Sequence, residues 1–276
     1  MKLNWDSARY WVSRYLVVLG AISLVVELTA LFVDAVGKLG ALGLAGVQAL
    51  TLVVTMAVFW PRRRVSVVLG GSHTRVSVVV SDILKATGSI VVGSNDAFDT
   101  ELGEVVRPES LQGQVLVGAF NGDQAALDVA IEVSLRDVPG HVDAAKSFGK
   151  GLRYPIGTVA VVRQGEQRFF LLAFCTMLEQ KRVSTNVFEL WESLRACWTA
   201  VRDSGQHSEL HVPVLGTKFG RTGLPWNLAI QMIVMSFVLS LQEGQTAPSL
   251  TVHIHPDDVD KVDFIGLASW LKSLSA

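Results

Sequence analysis

Two long apolar runs close to the N-terminus constrain this chain more than any other feature of its sequence. Residues 15–33 form a run of 19 with one charge, Glu27, and residues 39–60 form a run of 22 with none. An α-helix rises about 1.5 Å per residue, so either run can cross a hydrocarbon core of about 30 Å. We therefore predict that an N-terminal segment, residues 1–63, contains two transmembrane helices at about 15–33 and 39–60.

A buried helical hairpin of a soluble domain and a cleaved signal peptide are the alternatives. Uncharged runs of this length are rare in soluble cores, which argues against a buried hairpin. A second apolar run follows the first, which argues against a cleaved signal peptide. Six basic residues flank the pair: Lys2, Arg9, Arg14, Arg62, Arg63 and Arg64. The positive-inside rule then predicts a multi-pass protein with both ends in the cytoplasm.

Two details of the apolar runs bear on assembly. The second run carries closely spaced small residues, among them Gly40, Gly43 and Gly46. Such a face fits packing against the first run as well as association between chains. Glu27 is costly when it faces lipid, so it lies either near the outer interface or toward a helix bundle or pore.

After residue 64 the pattern changes to short strands that alternate with helices. This pattern predicts a mixed sheet covered by helices on both faces. The predicted strands are residues 65–69, 75–80, 89–93, 114–118, 128–135, 157–163, 168–176, 209–214 and 250–254. The predicted helices are residues 81–86, 185–203, 224–241 and 256–274.

The composition excludes several function classes. The chain has 24 Lys and Arg against 25 Asp and Glu, so it lacks the basic excess that holds a nucleic acid. Cys175 and Cys197 lie in apolar runs, which indicates buried thiols rather than a disulfide framework. His253 and His255 share one face of a strand without a partner at metal spacing, so we predict no metal site.

A glycine-rich loop between a predicted strand and a predicted helix, within residues 212–225, is the most informative segment. Its glycines allow close approach of an anion, and the N–H groups at the helix start point toward it. Lys218 and Arg221 add positive charge, and Phe219 can stack on a ribose or base. The loop is neither a Walker loop nor a dinucleotide-binding GxGxxG, and a tight structural turn is the alternative.

Three segments together resemble the macro domain family. They are Ser81-Asp82-Ile83, Gly93-Ser94-Asn95 and the loop from Gly216 to Gly220. The family's Gly-Asp-Ile motif keeps its Asp and Ile here, and its Asn-Ala-Ala-Asn segment keeps only the final Asn. The resemblance implies that residues 64–276 are a cytosolic macro-like domain, a three-layer α/β/α sandwich with a mixed sheet, that binds ADP-ribose.

Further segments, residues 95–100, 110–114 and 154–158, together with the two-span N-terminus, resemble the membrane-anchored macro effector of Thoeris-type bacterial antiphage defence. The resemblance implies that a partner TIR-domain enzyme consumes NAD and makes an ADP-ribose-derived signal, such as a histidine conjugate. It also implies that binding of this signal drives homo-oligomerisation of the hairpins in the bacterial inner membrane. Damage to the lipid bilayer then causes abortive infection.

The residues that match these motifs make up the predicted ligand site. Asp82 is expected to accept from the adenine amino group, and Asn95 and Asp96 to lie by the distal ribose or its conjugate. Residues 110–113 and the Gly216 loop are expected to hold the pyrophosphate. The full set is Asp82, Ile83, Asn95, Asp96, Phe98, Leu111, Gln112, Gly113, Leu215, Gly216, Thr217, Lys218, Phe219, Gly220 and Arg221. No catalytic residue, cofactor or metal is predicted.

Two other functions stay open. One is a membrane-anchored ADP-ribosyl hydrolase, whose family branch carries a glycine triplet and an acid that this chain lacks. Residues 98–102 also replace the glycine-rich stretch that usually follows the Asn segment. We therefore favour a binding module over an enzyme. The other function is a channel or scaffold gated by a protein partner, with the pocket unused.

Overall fold

A computed structural model describes residues 5–30, 40–59, 63–179, 182–204, 208–217 and 222–275. The chain divides into two units, Met1–Arg62 and Arg63–Ala276.

The first unit contains two helices, α1 (Trp5–Ala30) and α2 (Gly40–Phe59), which pack against each other. The Tyr15 hydroxyl donates a hydrogen bond to Gln48 Oε1. Within α1, Val12–Thr29 has a mean hydropathy of 1.7 and is long and apolar enough to cross a membrane. The apolar stretch described in α2, Ala45–Ala57, is shorter. Parts of both predicted spans, and residues 34–38 between them, lie outside the described residues.

The second unit contains ten strands and five α-helices among its described residues. In chain order they are β1 (Arg64–Val68), β2 (Arg75–Val80), β3 (Ser89–Asn95), α3 (Leu111–Gly118), α4 (Gln124–Leu135), β4 (His141–Val142), β5 (Leu152–Arg153), β6 (Val159–Gln164), β7 (Gln167–Met177), β8 (Val183–Ser184), α5 (Val187–Ser204), β9 (Leu210–Pro213), α6 (Trp226–Ser240), β10 (Ser249–Ile254) and α7 (Phe264–Lys272). Short 3₁₀ turns follow β2 at Ile83–Lys85 and β10 at Pro256–Lys261.

The main sheet has the strand order β1-β2-β10-β9-β3-β7-β6, and β8 pairs with β7. The five central strands, from β2 to β7, are parallel, whereas β1 and β6 run antiparallel at the edges. The prediction of a mixed sheet is therefore confirmed. Because the carboxyl ends of parallel strands meet at one edge of a sheet, the residues that end β2, β3, β9 and β10 are brought together.

The sheet is covered on both faces, since successive side chains of each strand point to opposite sides. Val91 of β3 packs into one apolar core, whereas Ile90 and Val92 pack into the other. Helices α5, α6 and α7 contribute to the first core, and α3 and α4 to the second. The three-layer α/β/α prediction is therefore confirmed. Cys175 and Cys197 are buried, as their apolar surroundings predict.

Two of the predicted strands are wrong. Residues 114–118 and 128–135 belong to helices α3 and α4. The deciding features are helix caps: Ser110 Oγ accepts from Gly113 N at 3.1 Å, and Asp123 Oδ1 accepts from Ala126 N at 3.0 Å. Such capping bonds satisfy the free N–H groups of a first turn, and here they outweigh the strand preference of short apolar runs.

Candidate functional site

A cleft of about 300 Å³ opens at the carboxyl ends of the central parallel strands. Its wall includes Ser81 and Asp82 after β2, Asn95 at the end of β3, Pro213 at the end of β9, and His253 near the end of β10. In open α/β sheets this edge is where ligands bind, because loops and helix N-termini converge there. The sheet topology therefore gathers three of the segments singled out in the sequence.

One end of the cleft is formed by Asp82 and Ile83, both predicted site residues. Asp82 Oδ1 accepts a hydrogen bond from Leu84 N at 3.0 Å, which caps the 3₁₀ turn that follows β2. This bond holds the half-buried carboxylate in place while its other oxygen stays available. An ionised carboxylate is an acceptor only, so this end of the cleft suits a ligand donor group.

The middle of the cleft is formed by the end of β3. Asn95 Oδ1 accepts from Ala97 N at 2.9 Å and from Asp99 N at 3.3 Å, so its Nδ2 group remains as a donor. The buried Ser94 Oγ has no hydrogen-bond partner among the described residues. A Cβ at Gly93 would lie 2.6 Å from Phe174 Cε1 and 3.0 Å from Leu215 Cδ2, so the strand passes these cleft-lining side chains only as glycine. Buried hydroxyls normally have partners, which makes Ser94 a candidate ligand contact.

The N-terminus of α3 borders the same cleft through Ser110, Leu111 and Gln112. Gln112 Nε2 donates to Asp99 O at 2.6 Å, which ties the first turn to the chain after β3. Gly113 does not line the cleft. A Cβ there would lie 2.4 Å from Arg107 O, so this glycine lets the preceding loop pass close to the helix. The first N–H groups of a helix have no intrahelical acceptor, and they attract anions.

Leu215 and Gly216 line the cleft from the loop after β9. Gly216 has φ +83°, and a Cβ there would lie 2.8 Å from Leu190 Cδ2. Thr222 closes the loop, since its N and Oγ1 both donate to Gly216 O at 3.1 Å. Thr217 Oγ1 is buried and has no hydrogen-bond partner among the described residues. The predicted contacts Lys218, Phe219, Gly220 and Arg221 lie outside those residues.

Two histidines connect the cleft to the interior of the sheet, a feature that sequence reasoning missed. Ser81 Oγ lies 3.0 Å from His253 Nδ1, His253 Nε2 lies 3.0 Å from His211 Nδ1, and His211 Nε2 lies 2.9 Å from Thr87 O. Burial lowers the pKa of His253 to about 4, with further lowering by the nearby His211 and an opposing effect of Asp82. Burial also lowers the pKa of His211, against opposing effects of Thr87 and Glu209. Both rings are therefore neutral at pH 7.

Comparison with known proteins identifies the family. The model of the macro domain of the Thoeris protein ThsA matches residues 76–255. The chain belongs to this family. No match is found among curated proteins.

Solved macrodomains from Oceanobacillus iheyensis share the fold. The macrodomain with ADP matches with a TM-score of 0.51 and 17% identity over 77% of this chain and 99% of that one. A point mutant with ADPR matches with a TM-score of 0.51 and 17% identity over 75% of this chain and 99% of that one. At this identity the likeness concerns the fold.

Besides Gly113, three predicted ligand contacts, Asp96, Phe98 and Thr217, do not line the cleft. Asp96 Oδ1 and Oδ2 lie 2.9 and 2.8 Å from Arg153 Nη1, in a buried ion pair. Phe98 is fully buried and stacks edge-on against Tyr154, with ring centroids 5.7 Å apart. A buried carboxylate needs a partner, and Arg153, 57 residues later, is one that sequence spacing does not reveal.

The cleft contains other groups that the motifs did not indicate. Arg107 and Arg182 contribute positive charge to its wall, and Glu104, Glu109 and Asp258 contribute negative charge. Cys175 also lines the cleft, and burial raises the pKa of its thiol well above the ordinary value. Within the described residues no cluster of three His, Cys, Asp or Glu side chains could hold a metal ion.

Proposed function

We propose that the macro domain binds an ADP-ribose-type nucleotide in this cleft and acts as the ligand sensor of a Thoeris antiphage system. The observation that carries the proposal is that one cleft joins the acceptor Asp82 to the N-terminus of α3 and the Gly216 loop. A nucleoside diphosphate needs this combination, because its base offers an amino donor and its pyrophosphate needs N–H donors. Its volume of about 300 Å³ lies at the lower end of the range for small-molecule sites.

The groups in the middle of the cleft suit the sugar that follows the pyrophosphate. Asn95 retains its Nδ2 donor, and the Ser94 hydroxyl has no partner in the described part of the chain. Ribose hydroxyls both donate and accept, so they can satisfy these two groups. An unsatisfied buried hydroxyl costs about 1–3 kcal/mol, which a bound ligand would recover.

Two titratable groups of the cleft, His253 and Cys175, bear on the choice between a sensor and a hydrolase. Hydrolysis needs a base or nucleophile whose pKa suits neutral pH. The pKa of His253 is near 4, so its neutral ring is a weak base. Cys175 is held as a protonated thiol because burial raises its pKa. Neither of these two groups is therefore suited to act as the base or the nucleophile of a hydrolysis.

The remaining parts of the proposed function concern the membrane. Helix α1 presents large apolar side chains outward, among them Leu16, Val17 and Leu24. We assign it as an anchor in the bacterial inner membrane, with the macro domain in the cytoplasm. A TIR-domain enzyme that consumes NAD supplies the ligand, and ligand-bound chains associate and disrupt the bilayer.

Calorimetry on the full chain in detergent, titrated with ADP-ribose and its conjugates, tests the ligand assignment. Asp82→Asn keeps the oxygen that caps Leu84 and removes the charge, so it should weaken binding roughly 10- to 100-fold without unfolding the domain. The matched control Asp137→Asn changes an exposed carboxylate after α4 and should bind as wild type does. Absence of binding by wild type at millimolar ligand would refute the proposal, and release of free ADP-ribose from a conjugate would favour the hydrolase.

A further inference from the structure

The chain of hydrogen bonds from Ser81 through His253 and His211 ends on a group that fixes its direction. That group is the carbonyl oxygen of Thr87, which lies 2.9 Å from His211 Nε2 and can only accept. His211 Nε2 must therefore carry its ring proton. A neutral imidazole has one N–H, so His211 Nδ1 is left as an acceptor.

The same alternation of donor and acceptor continues along these hydrogen bonds to the cleft. His253 Nε2 lies 3.0 Å from the acceptor His211 Nδ1, so it carries the proton of the second ring. His253 Nδ1 is then an acceptor, and the Ser81 hydroxyl 3.0 Å away donates to it. If the direction of these hydrogen bonds were reversed, an unprotonated His211 Nε2 would face the Thr87 carbonyl oxygen, and the two acceptors would repel each other. With its proton committed to His253, Ser81 Oγ offers only lone pairs to a ligand.

This orientation makes the Asp82 end of the cleft a surface of acceptors. Ser81 and Asp82 are adjacent in sequence, and both line the cleft. One Asp82 oxygen caps Leu84, and the other is available to a ligand together with the Ser81 lone pairs. An amino group has two hydrogens and can serve both residues, whereas a carbonyl oxygen at the same position would be repelled by both.

We propose that Ser81 is a specificity-determining residue that accepts a hydrogen bond from an amino group on the ligand's base, and that His253 and His211 are positioning residues that hold its hydroxyl in the accepting orientation. The assignment rests on the proposed function, since it concerns the base of the same nucleotide. It predicts discrimination between bases that carry an amino group and bases that carry a carbonyl oxygen there.

A serine bonded to a histidine is also the arrangement of a nucleophile and its base. This site differs from such a pair, because His253 Nε2 is bonded to a second neutral ring, His211, which in turn is bonded to the Thr87 carbonyl oxygen. The low pKa of His253 makes it a poor proton acceptor from a serine hydroxyl near neutral pH. The arrangement therefore orients the hydroxyl and does not activate it.

The experiment compares ADP-ribose with its hypoxanthine counterpart, inosine diphosphate ribose, by calorimetry on the full chain in detergent. Wild type should prefer ADP-ribose by about 100-fold, because the carbonyl oxygen of hypoxanthine meets two acceptors. Ser81→Ala should reduce this preference about tenfold. Ser81→Gly also removes the hydroxyl and should reduce the preference by a similar factor. Ser81→Thr keeps the hydroxyl and should restore most of the preference. The control Ser66→Ala alters an exposed serine of β1 and should leave it unchanged.

The positioning role has its own pair of variants. His253→Ala removes the acceptor that orients Ser81, so the preference should fall as it does in Ser81→Ala. His253→Asn keeps an acceptor near the position of Nδ1 and should retain most of it. An unchanged preference in Ser81→Ala and Ser81→Gly, with both nucleotides still bound, would overturn this inference and leave the proposed function standing. Failure of wild type to bind either nucleotide would overturn both.

Discussion

Arg153 of β5 forms a buried ion pair with Asp96, which directly follows β3 of the central sheet. Its Nη1 lies 2.9 and 2.8 Å from the two Asp96 oxygens, its Nε lies 2.7 Å from Asp143 Oδ2, and its Nη2 donates to Met177 O at 2.8 Å. These contacts link β5 to the ends of β3 and β7. Asp143 is held ionised because its bond to Arg153 lowers its pKa.

Breaking this pair should destabilise the macro domain. Arg153→Met leaves the buried Asp96 carboxylate without its cationic partner and with the 3.0 Å hydrogen bond from Met177 N to Oδ1. Removal of one member of a buried pair costs about 3–5 kcal/mol. Denaturant unfolding of the full chain in detergent, followed by tryptophan fluorescence, measures the loss. Arg195→Met is the matched control, since the Arg195–Glu192 pair is 67% and 60% exposed and should contribute less than about 1 kcal/mol. Asp96→Asn that weakened ligand binding at unchanged stability would support the ligand role predicted for Asp96 instead.

Ser94 should respond to mutation in opposite directions with and without ligand. Its Oγ has no hydrogen-bond partner among the described residues, so Ser94→Ala should leave the free energy of unfolding unchanged or raise it by up to about 1 kcal/mol. The same change should weaken ligand binding, because the hydroxyl that the ribose would satisfy is gone. Thermal unfolding with and without ADP-ribose measures both effects in one series.

A second serine serves as the control for Ser94. Ser236 Oγ accepts from Trp198 Nε1 at 2.9 Å in the core formed by α5 and α6. Ser236→Ala should therefore lower stability by about 1–3 kcal/mol and leave ligand affinity unchanged, since it strands the buried indole N–H. If Ser94→Ala and Ser236→Ala changed the free energy of unfolding and the ligand affinity equally, this would contradict the assignment of Ser94 to the ligand site.

Replacement by alanine should have very different effects on stability at two glycines of α3, although they lie on the same helix. A Cβ at Gly113 would lie 2.4 Å from Arg107 O and 2.9 Å from Pro108 Cα, whereas a Cβ at Gly118 meets nothing within 4 Å. Gly113→Ala should cost about 1–3 kcal/mol and displace the helix N-terminus from the cleft, which weakens binding. Gly118→Ala should be neutral or stabilise by up to about 1 kcal/mol through helix propensity. Urea midpoints of the two variants provide the comparison.

Stability should fall with acid in a way that depends on His253. Its pKa is about 4 in the folded protein against 6.5 as the ordinary value, so the unfolded chain binds the extra proton first. The contribution of His253 is therefore fully present above pH 6.5 and is lost progressively as the pH falls toward 4. His253→Gln removes this titration and should flatten the stability profile in that range. Parallel profiles for wild type and variant would show that His253 is not held neutral.

The membrane assignment is tested by charge on α1. Val17 and Leu24 are exposed apolar residues of the stretch that is long enough to span. Replacing both with arginine should move the full chain from the membrane to the soluble fraction, since each arginine opposes insertion by about 2.5–3.5 kcal/mol at the helix centre. Val133→Arg, on the exposed face of α4, should leave fractionation unchanged. Retention of the α1 variant in the membrane would mean that another segment anchors the chain.

Local sequence patterns predicted many of the strands and helices of the macro domain. The β6–β7 hairpin followed from a polar turn between alternating apolar runs, and the structure pairs Gln164 with Gln167 with Gly165 at φ +61°. Helices α5 and α6 followed from long apolar periodicity. Helices α3 and α4 did not, because their short apolar runs fit strands as well, and the caps at Ser110 and Asp123 decided between them.

The chain by itself also determined the kinds of group available at the site. Asp82, Asn95 and Gly216 were identified because the segments that contain them resemble macro-domain motifs, and the parallel sheet then places all three on one cleft. Sequence reasoning could not place Asp96 against Arg153, or His211 against His253, since these partners lie 57 and 42 residues apart. Such pairs exist only once strand order has been set by burial of two apolar cores. Local spacing thus determined which chemistry the chain carries, and the tertiary structure decided which of these groups face a ligand and which hold the fold together.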